Sequence, residues 1–155
     1  MKGNIIFLDI DGVLNNSFTE TTTTTGWTFV EDFLVRNLKN IIDATNAKIV
    51  LSSSWRWGYW STGNDRLDYL ELVGKFNDFE IFIADITPAF SSNDREAEIL
   101  WWLDNKFESG NFIILDDEAN YFNLLLPYVV KTDRALGLTQ KEVTKAINML
   151  NKEAE

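Results

Sequence analysis

Two acidic pairs carry the chemistry this chain is able to do: Asp9 and Asp11, two residues apart in Asp-Ile-Asp-Gly, and the adjacent Asp116 and Asp117. Each pair follows an apolar run, Ile5–Leu8 and Phe112–Leu115. Carboxylates gathered within a few ångströms cannot all stay ionised without a compensating cation. The residue inventory restricts the alternatives. There is no Cys and no His among 155 residues, so thiolate nucleophiles, imidazole bases, Ser-His-Asp catalysis and thiolate-bound zinc are excluded. Carboxylates, hydroxyls, Lys and Arg remain, a donor set that suits a hard, oxygen-seeking ion such as Mg2+.

The elements that position these residues read as short apolar runs alternating with helical periods. Ile5–Leu8, Lys48–Leu51, Phe79–Ile86, Phe112–Leu115 and Tyr128–Lys131 read as strands. Val30, Leu34, Leu38, Ile41 and Ile42 mark one helix face, and Leu67, Leu70, Val73 and Phe76 mark a second. Asn93 with Glu96 signals the start of a helix carrying Ile99, Trp102, Leu103 and Phe107 on one face. A short helix is expected over 119–126, and Thr139 with Glu142 caps the last helix. Strands apolar on both faces and separated by helices predict a doubly wound, Rossmann-like α/β fold, a mostly parallel five-stranded sheet between helical layers. At 155 residues a single domain over 1–155 is expected, with a polar flap at about residues 15–28 that includes five consecutive threonines.

In such sheets ligands sit beyond the carboxyl ends of the strands. The residues there are Asp9 and Asp11, Ser52 to Ser54, Asp85, Asp116 with Asp117, and Lys131. Arg95 heads a helix, where the macrodipole disfavours a cation unless an anion faces it.

In order along the chain, Asp9-Ile-Asp11-Gly-Val-Leu, Ser52 after Ile49-Val50-Leu51, Arg95 at a helix head and Asp116-Asp117 after Ile113-Ile114-Leu115 resemble the four motifs of the haloacid dehalogenase superfamily. Leu51-Ser-Ser-Ser-Trp-Arg56 and the helix from Arg95 through Trp102 are most similar to the small HAD domains of Swiss Army Knife RNA repair proteins. The resemblance implies a Mg2+-dependent phosphomonoester hydrolase. Asp9 would become the aspartyl phosphate, and Asp11 would act as general acid and base while its backbone carbonyl ligates the metal. Ser52, or Ser53 in a register shifted by one, would hold a phosphoryl oxygen. Asp116 and Asp117 would complete the metal site, with the direct ligand of the two left open. Gly12, Ser53, Arg56 and Trp57 are the candidate substrate contacts.

Neither the interval between the first two motifs nor that between the last two is long enough for a large cap domain, so the resemblance implies an open site and a macromolecular substrate, such as a phosphorylated nucleic-acid end, or a nucleotide. Arg56 beside Trp55, Trp57, Tyr59 and Trp60 is expected to hold a phosphate while the rings stack on a base. The net charge of −10 predicts no strong nonspecific nucleic-acid binding. No apolar run approaches the roughly 20 residues of a membrane span, so no membrane partner and a cytoplasmic location are expected. Two other readings compete. Asp9, Asp85 and Lys131 end the first, third and fifth strands as in a response-regulator receiver domain, and a catalytically silent HAD-like binding module would keep the fold alone.

Overall fold

The computed structural model describes residues 1–153. Five strands, β1 (Ile5–Leu8), β2 (Lys48–Leu51), β3 (Ile83–Ile86), β4 (Phe112–Asp116) and β5 (Val129–Lys131), form one sheet in the order β3-β2-β1-β4-β5. Every pairing is parallel. The central strand β1 is fully buried from Ile5 to Leu8, the reason it reads as an unbroken apolar run. One sheet face carries α1 (Asp32–Thr45), α3 (Asn64–Asp78) and α5 (Gln140–Leu150), through Leu34, Leu38, Leu72, Phe76, Val143 and Ala146. The other carries α4 (Arg95–Lys106), whose Ile99 and Trp102 meet Phe7, Val50 and Ile114. The short helix α2 (Trp57–Trp60) sits against α3.

Register lines up the strand ends. Leu8 lies beside Leu51 on one side and Leu115 on the other, and the ladder continues one residue further, with Ser52 N–H donating to the Leu8 carbonyl and Asp9 N–H to that of Leu115. Ser52, Asp9 and Asp116 therefore close three adjacent strands in one row.

Several expected boundaries shift for local reasons. The helix α3 runs on to Asp78, and Glu80 takes a left-handed φ of 58°, so the third strand starts at Ile83 and not at Phe79. The buried face of α3 is Asp68, Tyr69, Leu72 and Phe76, while Leu67 and Leu70 are half exposed. Asp94, not Asn93, caps α4, accepting from Ala97 N–H at 3.0 Å. Asn93 instead takes a left-handed φ of 53°. Residues 119–126 hold no α-helix; two 3-10 turns, Ala119–Tyr121 and Leu126–Tyr128, take its place. The expected Thr139/Glu142 capping box is present.

The flap includes a small hairpin with an antiparallel bridge between Thr22 and Thr28. Threonine hydroxyls tie it down. Thr23 Oγ1 accepts from Trp27 N–H at 3.1 Å, Thr24 donates to Glu71, and Thr25 Oγ1 donates to the buried Asp68 at 2.5 Å, both acids belonging to α3. Among the described residues no helix is long and apolar enough to cross a membrane.

Candidate active site

The sheet order reverses at β1, where the connection leaves to β2 on one side and β4 joins on the other, and ligands bind at such a switch point. There Asp9, Asp116 and Asp117 each offer a carboxylate oxygen within 4.8 Å of the others. Asp116 is fully buried and Asp9 nearly so. A single guanidinium spans two of them: Arg95 Nη1 lies 2.6 Å from Asp116 Oδ2 and 3.4 Å from Asp9 Oδ2. The other oxygen of Asp116 accepts from Glu118 N–H at 2.9 Å. Asp117 Oδ2 accepts from Nε of the exposed Arg134 at 2.7 Å.

Arg95 alone faces the two buried acids Asp9 and Asp116, because Arg134 reaches only Asp117 and does so from solvent. Burial, then the charge of Asp116, pushes the Asp9 carboxyl up to about 8, although Arg95 pulls the other way. Burial raises Asp116 as well, over the opposing pull of Arg95. The Arg95 guanidinium goes up, because the two aspartates outweigh its own desolvation. Two buried carboxylates whose repulsion Arg95 does not relieve, with a third beside them, fit a hard divalent cation, and Asp9, Asp116 and Asp117 are the side chains able to hold it.

The Asp11 carboxylate is not in that group, so the four carboxylates expected to share one crevice reduce to three. Its oxygens point to the turn and flap side, accepting from Asn15 Nδ2 at 2.9 Å and Trp55 Nε1 at 3.2 Å. These bonds hold the Asp11 carboxylate apart from the three clustered aspartates. Gly12 follows with φ 78°, and a Cβ there would lie 2.4 Å from Asp117 Oδ2. Its N–H donates to Asn15 Oδ1 and its carbonyl accepts from Thr132 Oγ1, so its backbone closes the turn and lets Asp117 approach; it offers no free donor to a substrate.

The two serines separate cleanly. Ser53 Oγ accepts from Trp55 N–H at 3.2 Å, capping the 3-10 turn Ser54–Arg56. Ser52 Oγ is buried beside Asp9's strand end with no hydrogen-bond partner. Ser52 Oγ is thus the unpartnered hydroxyl of the two, while Ser53 Oγ, accepting from Trp55, keeps its own proton to donate.

Arg56 corrects the expectation of an overhanging phosphate-binding cation. It is 4% exposed, its Nη2 lies 2.8 Å from Glu98 Oε1, and Nη1 donates to the Ser52 and Ser53 carbonyls at 3.0 and 2.7 Å. Those contacts make it a brace that fixes the Ser52–Ser53 backbone to α4. Trp57, by contrast, is 44% exposed. Lys131 is exposed at the end of β5, outside this cluster.

Sequence reasoning missed three participants. Tyr121 lies 5.4 Å from Arg95 Cζ through its ring, Glu98 pairs with Arg56, and Asn15 bridges Asp11 and Gly12. Only Asn15, within the turn that follows the acidic pair, carried a local signal, since Asx side chains bond nearby backbone.

The strand order also removes the receiver reading. A receiver sheet has order 2-1-3-4-5, with the third strand against the first; here β2 separates β3 from β1. Asp85 is engaged at the sheet edge, accepting from Trp102 Nε1 and Lys106 Nζ, each at 2.8 Å.

An acidic strand end at the centre of a five-stranded parallel sheet, a serine closing the next strand, an arginine heading the helix on the opposite face and an acidic pair closing the fourth strand together define a domain of the haloacid dehalogenase type. Residues 5–143 match the family model of the HAD domain in Swiss Army Knife RNA repair proteins, and the chain belongs to that family. No curated protein and no solved structure matches it.

Proposed function

We propose that this chain is a Mg2+-dependent phosphomonoester hydrolase that works through an aspartyl phosphate on Asp9, acting on nucleotides or phosphorylated nucleic-acid ends. The observation that carries this reading is the Asp9–Asp116–Asp117 cluster, within 4.8 Å and bridged on two members by Arg95.

Bound Mg2+ supplies charge neutralisation at the cluster, without which a carboxylate approaches an anionic phosphate poorly. Asp9 Oδ attacks phosphorus as the bond to the leaving oxygen breaks, and Asp11 delivers the proton that oxygen takes up. A water then attacks the aspartyl phosphate and gives its proton to Asp11, releasing phosphate and restoring both acids. Ser52 Oγ, buried without a partner, and Arg95, aimed between Asp9 and Asp116, hold the phosphoryl oxygens. Asn15 and Trp55 keep Asp11 oriented. The charge of −10 confines contact with a nucleic acid to its end.

The test is hydrolysis of para-nitrophenyl phosphate and of 5′- and 3′-phosphorylated oligonucleotides with Mg2+ and with EDTA. Turnover that requires Mg2+ and disappears in Asp9→Asn is the expected result. Turnover that survives EDTA overturns the metal-dependent mechanism, and no turnover with any ester leaves the silent binding module as the better reading.

A further inference from the structure

A pocket of about 140 Å³ opens between the flap, the turn after β2 and the start of α3. Its walls are three indoles, Trp27 from the flap and Trp55 and Trp57 from the turn, with Asp65 and Asp68 of α3. Trp27 is 56% and Trp57 44% exposed, an unusual amount of indole surface to leave in water at one spot. Trp55 is the inner wall, and its Nε1 is the group that bonds to Asp11. The pocket and the acid/base residue therefore share one side chain.

Gly58 lets the walls meet. A Cβ there would lie 2.1 Å from the Asp65 carbonyl and 2.4 Å from Tyr69 Cβ, so only glycine allows the turn to lie directly on α3. On the flap side, the bonds from Thr24 to Glu71 and from Thr25 to Asp68 hold Trp27 over the same helix.

The lining dictates the chemistry of an occupant. It has no Lys or Arg, so a phosphate is excluded from it. Indole faces favour a flat aromatic ring. Apart from the Ser54 hydroxyl, the polar lining is carboxylate, which accepts hydrogen bonds and donates none, so it favours a ring that presents N–H groups at its edge. Ser54 and Trp57, which line this pocket, also line a smaller one with Arg95, so a ligand reaching both has an anionic end and an aromatic end. A nucleotide fits. Guanine offers adjacent N–H donors, whereas uracil sets carbonyl oxygens on both sides of its single N–H and would turn them toward Asp65 and Asp68.

We infer that this pocket is a base subsite that seats the nucleobase next to the scissile phosphate and selects guanine over uracil; the inference rests on the phosphatase reading for the phosphate end. It is tested by steady-state kinetics with guanosine 5′-monophosphate, uridine 5′-monophosphate and glycerol 2-phosphate, which has no ring. Trp27→Ala and Asp65→Asn should raise KM for the guanosine nucleotide about tenfold, the size of one lost base–aromatic stack, and leave glycerol 2-phosphate within twofold. Equal KM for the two nucleotides, or equal effects of the variants on all three substrates, overturns it. Calorimetric titration with guanosine, which has no phosphate, separates the two readings. Guanosine binding that is lost in Trp27→Ala supports the pocket even where no ester is hydrolysed, and its absence at millimolar guanosine overturns the pocket even where hydrolysis is robust.

Discussion

Two strand ends of the same sheet present carboxylates to cations and reach opposite results. At the centre, Asp9 and Asp116 share Arg95 out of water with Asp117 close by, and the Asp9 carboxyl is driven up to about 8 by burial and by Asp116. At the β3 edge, Asp85 stands alone against Lys106 and the Trp102 indole; its burial raises it, but the hydrogen bonds from those two groups win and hold it below the ordinary carboxylate range. An acid at the edge is balanced and finished. The acids at the centre are in charge excess, held together by the fold against their own repulsion, and that excess is what a cation and a phosphoryl group would use.

The contrast breaks most visibly in activity. Asp9→Asn should lower kcat for para-nitrophenyl phosphate by at least about 1,000-fold, as expected for a lost nucleophile, while Asp85→Asn stays within twofold of the parent. Comparable losses at the two positions would erase the distinction between centre and edge.

A third arrangement, buried yet balanced, sharpens it. Arg56 and Glu98 are 2.8 Å apart with side chains 5% and 3% exposed. Arg56→Ala leaves the Glu98 charge buried and should cost about 3–5 kcal/mol in urea unfolding, with part recovered in the Arg56→Ala, Glu98→Gln double variant. An unchanged midpoint would show that the brace is dispensable.

The pH dependence separates the two ends by sign. In EDTA, the folded chain holds the Asp9 proton up to about 8 against 3.8 for a free carboxyl, so stability present near pH 4 is lost as pH rises toward 8. The melting temperature should fall over that window, fall less in Asp9→Asn, and recover on adding Mg2+ at pH 8. Asp85 runs oppositely: its contribution is present at neutral pH and disappears as pH drops below about 4 through its lowered folded value. Lys106 is 42% exposed, so Asp85→Asn should cost under about 1 kcal/mol at pH 7, read from urea midpoints at pH 7 and pH 3.

What was legible in the residues follows the range of the forces involved. The strand ends, the order of the acidic and hydroxyl groups and the Thr139 capping box depend on neighbours within a few positions, and each could be read locally. Arg56 could not, because its partner Glu98 is 42 residues away and nothing near Arg56 signals a buried pair. The buried face of α3 departs from its apolar spacing for a related reason. Leu67 and Leu70 have apolar spacing, yet the buried positions between them are Tyr69 and Asp68, the latter receiving Thr25 from the flap. The two serines differ through a single turn that the run of three serines does not announce: Ser53 Oγ accepts from Trp55 N–H, whereas Ser52 Oγ has no partner.

The threonine run looks interchangeable when written out and is not. Thr22 bridges Thr28, Thr23 receives Trp27, Thr24 meets Glu71 and Thr25 meets Asp68, so four identical residues have four different addresses. A segment of this kind tolerates relabelling and punishes miscounting. Exchanging one threonine for serine keeps a hydroxyl at the same address, whereas inserting or deleting a single threonine sends every later hydroxyl to its neighbour's address at once. Over these residues the chain preserves a length more than a composition.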